Sequence, residues 1–327
     1  MGWRLKLVPE KTNWDFFQWA PLTFGASAVA VVVSIILVAV MGLSFGIDFK
    51  GGTTIRTEST QPVDVAAYRT QLEGLKMGDV SITEVFDPTF RADQHVAQIR
   101  IQAQAGQEAL SPEAVDRVQA ALQKVAPDVK FASVETVGPK VSGELIKSAI
   151  LSVLAATSAI CAYIWLRFEW QFSIGAVASL VHDVVVTVGI FALFRLKFDL
   201  TTIAALLTIL GYSINDTVVV FDRLRENLMK YKTMPLRDVM NLSVNETLSR
   251  TLMTSGTTLI SLAALLAFGG DVIRSFVFAI FLGIILGTYS SIYVAKNIVL
   301  YLGVKRDWTK PTDDKGPKGT QFVTGKG

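Results

Sequence analysis

The sequence predicts a polytopic α-helical membrane protein: six transmembrane helices, with a ferredoxin-like α+β external domain between helices 1 and 2. Three observations carry that prediction. Of 327 residues, 51% are hydrophobic, and the mean hydropathy is +0.43, too apolar for an ordinary soluble domain. Six segments are long and apolar enough to cross a bilayer. One long stretch, residues 44–142, instead alternates strand and helix patterns.

The first span is placed at 21–43, after a cytoplasmic segment 1–20. Its apolar core, residues 26–40, is long and runs into a Gly-rich junction without a small-residue cleavage site, so it reads as an uncleaved anchor and not a signal peptide. The junction is Gly46-Ile47-Asp48-Phe49-Lys50-Gly51-Gly52-Thr53. Gly46, Gly51 and Gly52 permit a tight exit from the membrane, while Asp48 and Lys50 read as interfacial charges. A phosphate loop is a poor reading, because a strand follows and not a helix start.

Residues 44–142 read as strand 53–60, helix 63–77, strands 80–86 and 95–104, helix 112–125 and strand 130–137. Ser111 before Pro112 is a helix N-cap with proline in the first turn. His95 to Gln102 alternates as a half-buried strand should. The order βαββαβ is that of a split ferredoxin-like unit. No Cys/His cluster and no Ser/His/Asp set is present, so a binding or lever domain is expected, not an enzyme.

The other spans are placed at 146–166, 172–194, 199–221, 251–269 and 273–301, within a block 143–304. The tail 305–327, rich in Gly, Lys and Asp from 309 onward, is expected to be cytoplasmic and disordered. Orientation follows from short-loop cations: Arg4, Lys6 and Lys11, then Arg167, then Arg223, Arg225, Lys230, Lys232 and Arg237, then Lys305, Arg306, Lys310, Lys315 and Lys318. Placing all of these in the cytoplasm satisfies the positive-inside rule, with both termini inside and the large domain outside. Arg195-Leu196-Lys197, between spans three and four, is the exception. Trp14, Phe16, Phe17, Trp19, Trp165, Phe168 and Trp170 fit an aromatic belt on the inner side. The net charge of +3 gives no sign of a nucleic-acid partner, and the single cysteine, Cys161, makes no intramolecular disulfide and reads as a small apolar residue.

Asp216 is the first clue to function. It lies inside the apolar run Gly211-Tyr212-Ser213-Ile214-Asn215-Asp216-Thr217-Val218-Val219-Val220-Phe221-Asp222-Arg223. A carboxyl at membrane depth costs roughly 2.5–3.5 kcal/mol on insertion scales. On a helix, Tyr212 and Ser213 share its face, and Asp222 and Arg223 come about 9 Å further along the axis. A carboxyl balanced between desolvation and a nearby cation can take up and release a proton. The bland alternative is an aspartate satisfied by neighbouring hydroxyls.

Arg250 opens the fifth span, with Thr254, Thr257 and Thr258 at helical spacing behind it. Its guanidinium is placed to reach Asp216, or else to snorkel to the interface. His182-Asp183, near the middle of the third span, either extends a proton relay or fixes helix order by hydrogen bonding. Metal binding is not expected: only two histidines are present, and His95 lies in the external domain. Gly283, Gly287 and Ser291 form a small-residue row whose default meaning is close helix packing.

With these residues in hand, the chain resembles the SecD/SecF family, membrane subunits of the bacterial Sec protein-translocation machinery. The resemblance is carried by the Gly46–Thr53 junction, the His182-Asp183 pair, the run from Gly211 to Arg223, Ser249-Arg250-Thr251-Leu252-Met253-Thr254 and Gly287-Thr288-Tyr289-Ser290-Ser291. It implies an RND-superfamily half-unit in the bacterial inner membrane, paired with SecD as the other half. It implies SecYEG as a further partner, with YajC and YidC as candidates, unfolded preprotein as cargo and protons as the coupling ion, with no cofactor. Asp216 and Arg250 match the family's proton-path positions, working with an aspartate supplied by SecD.

Two other function classes stand beside this one. A half-size RND exporter of small molecules or lipids needs a larger external domain than 44–142 and twice as many spans. A structural scaffold of the translocon would use its buried charges only for assembly.

Overall fold

A computed structural model gives the fold and describes residues 12–75, 77–78, 80–103 and 110–304. The flanking cations at 4, 6, 11 and 305–318, and the tail expected to be disordered, lie outside the described residues. Among the described residues, six helices are long and apolar enough to cross a membrane, as the hydropathy predicts.

Helix α1 (Ala20–Met41) leads into a two-residue strand β1 (Ser44–Phe45) and a single helical turn α2 (Ile47–Lys50). The external domain follows as β2 (Gly52–Ser59), α3 (Val65–Glu73), β3 (Val80–Val85), β4 (His95–Gln102), α4 (Pro112–Leu122) and β5 (Lys130–Val137). The strands form one sheet in the order β3-β4-β2-β5. Every pairing is antiparallel, with Ile55 opposite Ile99 on β4 and Val134 on β5. This is the ferredoxin-like arrangement, and its two helices begin where side chains cap them. Asp64 accepts from the Ala67 amide at 2.9 Å, and Ser111 from the Ala114 amide at 3.3 Å. Ile55, Tyr68, Leu72, Ile99, Val118 and Leu122 fill the core between helices and sheet.

The bundle continues with α5 (Pro139–Arg167), α6 (Trp170–Leu193), a second two-residue strand β6 (Lys197–Phe198), α7 (Leu200–Lys230), α8 (Leu236–Phe268) and α9 (Asp271–Ser290). One π-helical turn, Ser291–Ala295, separates α9 from α10 (Lys296–Leu302). Several helices outrun their apolar segments. Hydropathy sees only the membrane part, while an amphipathic helix runs on where its apolar face is packed, as Val239, Met240, Val244 and Leu248 of α8 are. The largest correction is α8, which starts at Leu236. Arg250 therefore lies well inside a 33-residue helix and does not open it.

Domain and bundle are tied in two places. β1 pairs in parallel with β6, so the exit of the first span is stitched to the connection between α6 and α7. Asp48 accepts from the Leu200 amide at 3.1 Å, and Asp199 caps the same helix through a reciprocal box with Thr202. Asp48, expected to be a plain interfacial charge, is thus a helix cap. The second tie is reciprocal: the Asp271 amide donates to the Phe86 carbonyl at 3.0 Å, and Asp271 Oδ2 accepts from the Phe86 amide at 2.8 Å.

The aromatic belt needs amending. Trp14, Trp19, Trp165 and Trp170 are exposed, but Phe16, Phe17 and Phe168 are buried within the bundle. The amides of Trp14 and Phe16 donate to the side chains of Asn245 and Asn241, each at 2.9 Å. Those bonds hold the segment against α8 and turn both phenylalanines inward.

Candidate functional site

Most of the buried polar groups of the bundle, among the described residues, lie on α6, α7, α8 and α9. These helices approach closely because α9 presents small residues to α7. A Cβ on Gly283 would lie 2.3 Å from Ile209 Cγ1, and one on Gly287 would lie 3.0 Å from Ser213 Cβ. Ser291 Oγ, one step further along the row, lies 2.8 Å from Thr217 Oγ1. The close approach brings hydroxyls of one helix within reach of carboxylates on another.

Asp216 is 2% exposed. Its Oδ2 accepts from Ser255 Oγ on α8 at 3.3 Å, and Ser255 Oγ lies 2.8 Å from Thr288 Oγ1 on α9. Because a hydroxyl has one proton, Ser255 can donate to Asp216 while Thr288 donates to Ser255. Three helices thus meet at one carboxyl through two hydroxyls.

The face-sharing expected of Tyr212 and Ser213 does not produce contact with Asp216. Ser213 Oγ donates instead to Asp183 Oδ2 on α6 at 2.7 Å. The Tyr212 hydroxyl is buried with no hydrogen-bond partner. Residues one turn before a carboxyl lie above it along the helix, and neighbouring helices set which way each side chain turns.

Arg250 and Asp216 form no ion pair. Arg250 is exposed, close enough to act on the carboxylate through its charge and not in contact with it. The threonine stripe behind it satisfies itself: Thr254, Thr257 and Thr258 donate to carbonyls one turn back, at 3.1, 2.9 and 2.9 Å.

Among the described residues, Asp183 is the most enclosed carboxyl, at 0% exposure. His182 Nδ1 lies 2.9 Å from its Oδ1, while Ser213 and Ser290 donate to Oδ2 at 2.7 and 2.8 Å. The site therefore has two centres on adjacent turns of α7, one reached from Ser213 and one carried by Asp216.

Lys296 was not singled out by sequence reasoning. It is 1% exposed, and its Nζ has no hydrogen-bond partner. The ammonium lies 4.0 Å from the Phe17 ring centroid, 5.1 Å from Phe16 and 5.5 Å from Tyr293. A lysine inside an apolar span was the available signal. The phenylalanines, read as a lipid-facing belt, concealed the aromatic cage around it. Nearby, Asp222 and Arg223 pair within the protein, with Arg167 at 2.9 Å and with Glu226 and Glu246 at 2.7 Å each.

Comparison with known proteins now bears on this geometry. The profile described as "Protein export membrane protein SecD/SecF, C-terminal" matches residues 117–305, and the "SecD/SecF GG Motif" matches residues 36–63. The protein translocase subunit SecF of Cereibacter sphaeroides is 69% identical over 99% of both chains. That of Rickettsia akari is 39% identical over 90% of this chain and 94% of its own. The crystal structure of SecDF from Thermus thermophilus, described as a translocon-associated membrane protein, superposes with a TM-score of 0.79 at 34% identity. The match covers 90% of this chain and 39% of the SecDF chain, so this chain spans about two fifths of that protein. Matching more than half of the chain to the family profile, and nearly all of it to relatives of high identity, places it: the chain belongs to the SecF family of protein translocase subunits.

Proposed function

We propose that this subunit of the protein-export machinery works with SecD to couple the proton motive force to export on the outer side of the membrane. The observation that carries the reading is Asp216: a carboxyl almost sealed from solvent inside an apolar helix, hydrogen-bonded across helices by Ser255 and within the field of Arg250. Such a group is retained in a span when charge passes it or pairs with it. No ion pair holds it here, which leaves it free to exchange a proton.

The proton cycle has enough energy behind it. One proton crossing the full potential gains about 2.3 kcal/mol per 100 mV. A few protons therefore supply the ~5.5 kcal/mol that swings a two-state element nearly fully. Protonating Asp216 removes its attraction for Arg250 and frees α8 relative to α7. The tie between Asp271, at the start of α9, and Phe86, at the end of β3, is one route by which helix movement reaches the external domain. The reading puts the termini and Arg250 on the cytoplasmic side, the domain on the periplasmic side, and SecYEG, YajC and YidC among the partners.

Asp216→Asn, which keeps the shape of the protonated state, tests the reading. Proton-dependent export into inverted vesicles should fall to the level seen without a proton motive force, with the subunit still co-purifying with SecD. Export at the normal rate would remove Asp216 as the carrier. Arg250→Met separates coupling from scaffolding: assembly kept and export lost supports coupling, while loss of assembly favours a structural subunit.

A further inference from the structure

Arg195 and Lys197, the pair that breaks the positive-inside pattern, line a cavity of about 380 Å³ where the domain meets the bundle. Lys50 from the junction turn and Arg100 from β4 line it as well. Among the described residues, no carboxylate lines it. Two carboxylates on the adjoining segments are already engaged: Asp199 pairs with Lys197 at 3.0 Å, and Asp48 accepts from the Leu200 amide. Arg100 donates through Nη2 to Gln98 at 3.0 Å, while its Nε is buried with no partner. Arg195 adopts a left-handed backbone, φ +54°, and donates to the Met41 carbonyl at 2.6 Å. Among the described residues, four cations thus line one hollow with fewer anions than charges.

A second hollow adjoins it. About 440 Å³ in volume and almost wholly apolar, it is bounded by Phe45, Phe49, Ile150, Leu154, Phe198 and Ile203. Phe45 borders both cavities, and its ring packs edge-on against Phe49 and Phe198, with centroids 5.8 and 5.9 Å away. A basic, polar hollow on one side of a phenylalanine and an apolar groove on the other make a site with two chemistries at the membrane edge. Cations at a membrane surface attract anionic headgroups.

We propose that this bipartite site binds an anionic phospholipid from the leaflet on the domain side, its phosphate among Lys50, Arg100, Arg195 and Lys197 and an acyl chain in the groove below Phe45. The recognised chemistry is the phosphate, and the apolar groove selects a lipid over a soluble phosphate. The site gives the misplaced cations a use: they are matched to lipid and not to topology. A lipid seated there bridges β4, the junction turn and the connection before α7, the segments through which domain and bundle are joined.

The test uses the full chain in phosphatidylcholine nanodiscs, titrated with short-chain phosphatidylglycerol and, separately, with inorganic phosphate. Binding is read by native mass spectrometry and calorimetry. Wild type should take phosphatidylglycerol saturably, and Lys50→Gln and Arg100→Gln should each weaken it by about tenfold. Leu154→Gln, on the exposed wall of the groove, should weaken the lipid and leave any phosphate binding unchanged. Lys50 and Leu154 are both exposed, so those variants fold even if Arg100→Gln does not. Equal uptake of phosphatidylcholine, or lipid affinity unmoved in Lys50→Gln and Leu154→Gln, overturns the site. Inorganic phosphate bound as tightly as the lipid overturns the lipid assignment.

Discussion

Ser213 on α7 donates a 2.7 Å hydrogen bond to Asp183 on α6, across 30 positions of sequence. Ser290 on α9 donates to the same carboxylate oxygen at 2.8 Å, and His182 lies 2.9 Å from the other. Three helices therefore share one sealed carboxyl, and removing it leaves several polar groups without partners. Asp183→Ala is expected to lower unfolding stability in detergent by about 3 kcal/mol. Ser290→Ala, which removes one donor, should cost about 1 kcal/mol. Equal stability of Asp183→Ala and wild type in a denaturant titration would show that the cluster holds nothing together.

Gly283 and Ile209 set the spacing of α9 on α7. A Cβ at 283 would fall within 2.8 Å of three Ile209 side-chain carbons, too close for rotamer adjustment to relieve. Gly283→Ala should destabilise the bundle by roughly 1–3 kcal/mol. Adding Ile209→Ala should recover part of that loss, because the second change opens the space the first one needs. A double variant as unstable as the sum of its parts would argue that the two positions are not in contact.

Lys296 and Phe17 should be coupled energetically. The ammonium sits 4.0 Å from the ring centroid with no hydrogen-bond partner, so the aromatic faces are its main compensation for burial. Phe17→Leu keeps an apolar side chain and loses the ring, at an expected cost of about 2 kcal/mol. In a Lys296→Met background the same change should cost much less, and Lys296→Met alone should be neutral or stabilising. A thermal-shift double-mutant cycle measures this directly; zero coupling would remove the cage from the account.

Asp128 in the external domain gives a pH signature. Its carboxylate accepts from the Thr60 hydroxyl at 2.6 Å, the Thr60 amide at 2.5 Å and the Ser59 hydroxyl at 2.9 Å. These bonds, the Thr60 hydroxyl first, hold its pKa at about 2. A depressed carboxylate contributes its full stability above the unfolded value of about 3.9 and loses it as pH falls toward the folded value. Domain stability should therefore decline between about pH 4 and pH 2, and Asp128→Asn should flatten that part of the curve. An unchanged slope in acid unfolding of Asp128→Asn would assign the decline to other carboxylates.

Much of this architecture was legible in the chain. The six spans, the order βαββαβ, the Ser111 cap and the close packing along Gly283, Gly287 and Ser291 all follow from local composition and periodicity. That Asp216 lies on an apolar helix was legible for the same reason; that it is 2% exposed is a property of the packed bundle. The site was legible only in part. Helical spacing put Ser213 and Tyr212 on the face of Asp216, but spacing along one helix does not say which neighbour that face meets.

Sequence by itself determined which helices exist, where the folded domain is inserted and which carboxyls lie on apolar helices. Those properties depend on neighbours within a few residues. Tertiary structure alone decided that Ser213 serves Asp183, that Ser255 serves Asp216, that Arg250 stands clear of it and that Phe16 and Phe17 enclose Lys296. Each depends on the rotation and approach of one helix against another. Contacts between residues far apart in sequence set that approach, above all the lack of a side chain at Gly283 and Gly287 and the asparagines of α8 that hold residues 14–16.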